Sequence, residues 1–181
     1  MILCAEQIHV PGSGIYEEVV YDIKSSWNSQ NWTWIKFTDE NYKEWCGEFR
    51  GDYKGLGISD KYDSIYVLTS DYLYILNRVD GQLYSFEDQP EYKELSVSPN
   101  GDCVVATYYD IYVLDKEGQQ IISVDSPIPL DVICFEGWQD NDLLIQADEF
   151  TNWDNHALLK LNCDSWKMDI VSQTKPAVGG K

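Results

Sequence analysis

Between Lys116 and Lys160 the chain has no lysine or arginine, and it carries nine acids there: Glu117, Asp125, Asp131, Glu136, Asp140, Asp142, Asp148, Glu149 and Asp154. Half of the formal net charge of −18 therefore falls in less than a quarter of the sequence. Carboxylates can do three things in such a pattern. A pair can serve as general acid and base on a glycosidic bond. A loop of them can hold Ca²⁺. A field of them can steer a basic protein and speed its docking. With 31 acids in the chain, carboxylate pairs at hydrolase distances arise by chance, so residue type does not single out that chemistry. Asp140, Asp142 and Asp148 lack the spacing of an EF-hand loop and the glycine at its turn. The two histidines, His9 and His156, belong to no H-x-x-x-H or H-E-x-x-H pattern. Gly12-Ser13-Gly14 lacks the lysine and helix of a phosphate loop, and Gly179-Gly180-Lys181 reads as tail. No catalytic residue, metal-ligand set or cofactor is expected.

Trp138, Phe150 and Trp153 are interleaved with these acids. Exposed aromatics anchor protein interfaces, and clustered acids select a basic partner. The expected partner-binding residues are Glu136, Trp138, Asp140, Asp142, Asp148, Glu149, Trp153 and Asp154. The plainer alternative is a solvated acidic rim with core tryptophans. The acidic excess, 31 acids against 13 bases, argues against direct binding of nucleic acid, which needs cations on the phosphates.

Five cysteines, Cys4, Cys46, Cys103, Cys134 and Cys163, are scattered, with no C-x-x-C pair. They read as reduced thiols buried as small apolar groups. The apolar run at Met1-Ile2-Leu3-Cys4-Ala5 stops at Glu6, short of a signal-peptide core, and no stretch approaches a membrane span. A cytoplasmic protein without membrane contact is expected.

What must position such a face is a set of strands. Phe37-Thr38, Leu76-Asn77, Leu114-Asp115 and Leu161-Asn162 each close a short apolar run before a polar turn, at steps of 39, 38 and 47 residues. Such a period marks a repeat architecture. In the second unit the runs are Leu56–Ser59, Ser64–Thr69, Leu73–Asn77 and Leu83–Phe86. In the third they are Leu95–Ser98, Cys103–Tyr108, Ile111–Asp115 and Ile121–Val124. Asp80-Gly81 and Glu117-Gly118 put glycine where a turn needs positive φ. A looser last copy has Val132–Phe135, Leu143–Ile145, Ala157–Leu161 and Trp166–Val171. Its extra length, around Asp148 to Asn155, reads as an inserted recognition loop. A weaker first copy has strands at Tyr16–Ile23, Trp32–Phe37 and Lys43–Phe49. No helical stripe of useful length is present.

Four strands in about 40 residues is the arithmetic of a β-propeller blade. Ser96-Val97-Ser98-Pro99-Asn100-Gly101-Asp102 resembles the first-to-second strand turn of WD40-like and TolB-like propellers. Asp80-Gly81-Gln82-Leu83-Tyr84-Ser85-Phe86 is similar to the turn and last strand of PQQ-like blades. The resemblance covers roughly residues 50 to 173, with a fainter extension to residue 16, and the Trp-Asp dipeptide is absent at the third-strand ends. It implies an all-β, propeller-like fold of about four antiparallel four-stranded blades, closed or open. One domain, 1–181, is expected, with units of about 1–50, 51–88, 89–127 and 128–173 and a tail at 174–181. A sandwich is the remaining all-β possibility.

A small, strongly acidic chain without catalytic motifs resembles a bacterial toxin-immunity protein, which implies a basic partner, a nuclease-type toxin, blocked at its active site. The alternatives are a propeller-like adaptor or scaffold subunit, whose acids only solubilise, and a carboxylate-dependent glycoside hydrolase.

Overall fold

The computed structural model describes residues Met1–Thr174. Sixteen strands form four four-stranded sheets, taken in chain order as the first to the fourth. The second sheet is β5 (Tyr53–Ser59), β6 (Ser64–Thr69), β7 (Tyr72–Asn77) and β8 (Leu83–Asp88), paired in that order. The third is β9 (Glu94–Val97), β10 (Cys103–Ala106), β11 (Ile111–Leu114) and β12 (Gln120–Ser123). The fourth is β13 (Leu130–Gln139), β14 (Asp142–Glu149), β15 (Asn152–Asn162) and β16 (Met168–Gln173). All three are antiparallel meanders. Each strand run expected from the repeat overlaps one of their strands, but Ser98, Thr107, Tyr108, Asp115, Val124, Trp166 and Lys167 fall outside, in turns or at strand ends. Gly81 and Gly118 take the positive φ their turns require, 73° and 86°.

The first sheet departs from this pattern. It holds β1 (Ile2–Ile8), β2 (Glu17–Tyr21), β3 (Trp32–Asp39) and β4 (Glu44–Arg50) in the order β1-β3-β4-β2. The opening apolar run, read from sequence only as a failed leader, is strand β1. It pairs with β3, setting Glu6 opposite Lys36. β2 reaches the outer edge out of sequence order and lies parallel to β4. β1 also runs against the other axial strands. The Ile2 N–H donates to Arg78 O at 2.8 Å, and the Arg78 N–H donates to Asp63 O at 2.9 Å. β5 runs towards that end of the molecule and β1 away from it.

The first strands β1, β5, β9 and β13 lie side by side along an axis, each packed on the next. β5 and β9 approach closely because β5 carries glycine where β9 carries bulk. A Cβ at Gly55 would lie 2.7 Å from the Leu95 Cβ, and one at Gly57 would collide with the Val97 side chain. Among the described residues three apolar cores are found, one between each consecutive pair of sheets. The first joins Phe37 and Phe49 to Val67, Tyr72 and Tyr74. The second joins Tyr66, Leu68 and Ile75 to Leu95, Cys103 and Val105. The third joins Val104 and Val113 to Leu143, Ile145, Leu159 and Leu161. The cores follow the chain from first sheet to fourth, and the described residues hold no comparable core between fourth and first. The blades form an open stack.

The outer faces of the first and fourth sheets mix apolar residues, Trp32, Trp34, Val132 and Leu158 among them, with ion pairs. On the first sheet Lys36 Nζ sits 2.5 Å from Glu6 and 3.3 Å from Glu44. Arg50 pairs with Asp22 at 3.0 Å, and its guanidinium lies 3.6 Å above the Trp32 ring. On the fourth sheet Lys160 faces Asp142 at 3.5 Å. Exposed ion pairs add little stability, but they give these two sheet faces a charged share of their surface.

Candidate functional site

The turns β6–β7, β10–β11 and β14–β15 all lie at one end of the stack, here the upper end. Two of them form the site. In the β10–β11 turn the Thr107 hydroxyl accepts the N–H groups of Tyr109 (3.1 Å) and Asp110 (3.0 Å), a local bond that hydroxyl residues favour in turns. This holds Tyr108 and Tyr109 outward, both about half exposed. The β14–β15 turn is only Phe150 and Thr151, with Thr151 at φ 67°. The Phe150 N–H donates to Pro129 O at 3.0 Å, which fixes the turn on the strand entering the sheet. The Tyr109 and Phe150 rings meet edge to face, centroids 5.7 Å apart at 89°, and bridge the third sheet to the fourth. Tyr108 lies 6.3 Å from Tyr109, and Lys93 Nζ stands 5.3 Å above the Tyr108 ring. Tyr109, Asp110, Pro129, Leu130 and Phe150 line an open groove of about 450 Å³.

Acids surround the upper end of the fourth sheet. Glu149 accepts hydrogen bonds from Asn155 (2.7 Å) and Asn152 (2.8 Å), and these hold its carboxyl below the usual carboxylate range. Asp148 lies 2.6 Å from His156 Nδ1. Asp154 is exposed on β15. Trp153 is a residue of β15 whose side chain lies outside the described residues. Asn155 is buried, and its Oδ1 has no hydrogen-bond partner among the described residues.

The rest of the expected face lies elsewhere. Asp140, at φ 51°, is in the β13–β14 turn at the lower end, with Asp142 at the start of β14, where Asn162 and Lys160 hold it. β14 separates Asp142 from Glu149 by its eight residues, roughly 23 Å of extended chain. Trp138 packs against the core between the third and fourth sheets, and its Nε1–H donates to Ser96 Oγ at 2.8 Å. Glu136 is exposed near the axis, beside Glu94 of β9. Burial, the largest cause, pushes the Glu94 carboxyl above its usual range. The Phe135 N–H and Lys54 oppose that, and Glu136 adds to it. The structure thus brings Asp148, Glu149 and Asp154 to one end and leaves Asp140 and Asp142 at the other.

The inserted loop expected at Asp148 to Asn155 is not a loop. β14 and β15 stay paired to Asp148–His156, shift register across residues 153–155, and pair again at Glu149–Asn152 before closing in two residues. The extra length became longer strands with a bulge in β15. The residues that reading missed are Tyr108, Tyr109, Asp110, Pro129 and Leu130. A Thr-Tyr-Tyr-Asp turn between two apolar strands was the available signal, since paired aromatics in a turn have no core to enter.

The chemistry open to these groups is limited. Among the described residues no group of three or more His, Cys, Asp or Glu side chains is placed to hold a metal ion. The His156–Asp148 pair sits on the open face of the fourth sheet. Cys134 opposes Gln146 of β14, so it lies two strands, about 10 Å, from the strand of His156. All five cysteines are free. Cys46, Cys103 and Cys163 are buried, and Cys4 and Cys134 are exposed.

No protein-family model matches the chain, and no curated protein is similar to it in sequence. Solved structures are similar in fold. The β-propeller domain of Cps50 (Swd1) from Myceliophteria thermophila superposes with a TM-score of 0.51 at 13% identity, covering 80% of this chain and 50% of that one. A Bacteroides caccae protein of unknown function gives 0.43 at 13% identity, covering 88% of this chain and 60% of that one. The WD40 domain of Neurospora crassa Pan2 gives 0.47 at 14% identity, covering 81% and 47%. The chain therefore spans about half the length of the propeller domains it matches. At such identity the likeness to the Cps50 (Swd1) domain establishes a propeller-like fold alone.

Proposed function

We propose that the chain is a non-catalytic protein-docking module, an adaptor or scaffold of propeller type, whose partner seats on the upper rim of the third and fourth sheets. The observation that carries this is the Tyr109–Phe150 pair. Two half-exposed rings meet across two blades, each fixed by a hydrogen-bonded turn. Rigid aromatic anchors lose little entropy on binding and dominate interface energies. The acids at the same end add steering for a basic partner. The narrower expectation, neutralisation of a basic nuclease-type toxin, has no support among the comparisons. The division of the acids between two ends also removes the single acidic surface it relied on.

The test is affinity purification of the tagged chain from its source cells, alongside the Tyr109→Ala/Phe150→Ala variant. A partner held by the wild type is expected to fall about tenfold or more with the variant, as hot-spot truncation does. Equal recovery, with both proteins folded by circular dichroism, refutes docking at this rim. Charge reversal at Asp148 and Glu149 should slow association without abolishing the complex.

A further inference from the structure

Resting on that docking reading, we infer that the groove takes an extended protein segment carrying an arginine beside an apolar residue. The guanidinium lies over the free face of one ring of the perpendicular Tyr109–Phe150 pair, within reach of Asp110, and the apolar side chain covers Pro129 and Leu130.

Four observations converge on this occupant. The groove is shallow and about 450 Å³, room for side chains of an extended chain but not for a helix 10–12 Å across. Its walls are aromatic and apolar with one carboxylate, Asp110. The neighbouring ring already shows the preference, because Lys93 Nζ stands 5.3 Å above Tyr108. A ring face attracts a cation through its quadrupole, and Tyr109 and Phe150 continue the same aromatic row. Asp110 lines the groove, and Asp148, Glu149 and Asp154 of the same end belong to a chain stretch with no base between Lys116 and Lys160, so a cation approaches without repulsion from that segment. Arginine fits better than lysine because a planar guanidinium stacks on rings while its edge still reaches carboxylates.

The experiment is an amide NMR titration of the full ¹⁵N-labelled chain with a synthetic octapeptide, Gly-Ser-Gly-Arg-Leu-Gly-Ser-Gly. Two control peptides carry glutamate for the arginine, or glycine for the leucine. The arginine–leucine peptide is expected to shift the amides of Tyr108, Tyr109, Asp110, Phe150 and Thr151, and the glutamate peptide to leave them still. Phe150→Ala should weaken the peptide by about tenfold and Asp110→Asn by about threefold, in line with a desolvated cation–ring contact and an exposed ion pair. If Phe150→Ala fails to fold, Asp110→Asn carries the test by itself. Equal shifts from arginine and glutamate peptides overturn the arginine assignment and leave the docking groove standing. Shifts confined to other acidic surfaces, or no shift from any peptide, overturn the assignment as well. The docking reading is then decided separately by the partner's loss with the double alanine variant.

Discussion

The middle of the stack and its ends are built from different strands. β6 is buried along its whole length, Ser64 to Thr69, and so is β10, Cys103 to Ala106. β3 and β14 occupy the same second position in the first and fourth sheets, yet they alternate buried and open residues. A strand between two sheets has no wet face. A strand in an end sheet has one. The contrast teaches that the stack is open, because a closed ring would bury both faces of every blade.

The sharpest way to break that comparison is to delete equal volume at both places. Leu68→Ala, inside the core between second and third sheets, should cost about 2–5 kcal/mol in urea denaturation. Leu144→Ala, on the uncovered face of the fourth sheet, should cost under about 1 kcal/mol, because it leaves no sealed cavity. Equal costs would mean that the end face is covered.

A second prediction concerns strain within an end sheet. Val132 has φ 49° at an irregularity of β13, and a β-branched residue rarely occupies that region. Val132→Gly should raise stability by about 1 kcal/mol, the order of such backbone strain less the added freedom of the unfolded glycine. Unchanged or lower stability would show the conformation to be unstrained.

The smallest effect expected is a pH slope set near the axis and the flanks. Burial holds Glu94, Glu87 and Glu48 above the ordinary carboxylate range. The folded state then binds protons more readily than the unfolded state, so stability rises as pH falls from neutral through their range. Glu149, Glu17 and Asp39 are held low and act with the opposite sign, losing their contribution at more acidic pH. Urea midpoints against pH should climb, then drop, and Glu94→Gln should flatten the climb. A midpoint that falls steadily from neutral pH contradicts this assignment.

Much of the frame was legible in the chain. Ser64–Thr69 and Leu73–Asn77 read as strands because β-branched and aromatic runs between turn residues have few other solutions. The alternation that distinguishes open from closed is one of burial, with Thr33, Ile35 and Phe37 inward and Trp32, Trp34 and Lys36 outward, and the residue types of that segment do not announce it. The first sheet was less legible. Nothing local tells Ile2–Ile8 that its partner lies at Trp34–Asp39, or Glu17–Tyr21 that it will pair parallel with Glu44–Arg50.

The candidate site divides in the same way. Composition located the acids and the aromatics, because charge and ring count are properties of the chain itself. Their grouping is a property of pairing. β14 runs end to end between Asp142 and Glu149, so neighbours in an acidic stretch finished at opposite ends of a sheet. Tyr109 and Phe150, 41 residues apart, finished ring to ring because adjacent blades turn at the same edge. Local sequence determined the strands and turns, through side-chain shape and backbone freedom. Long-range packing alone decided which turns share a rim, and that rim is where the molecule presents its aromatic surface.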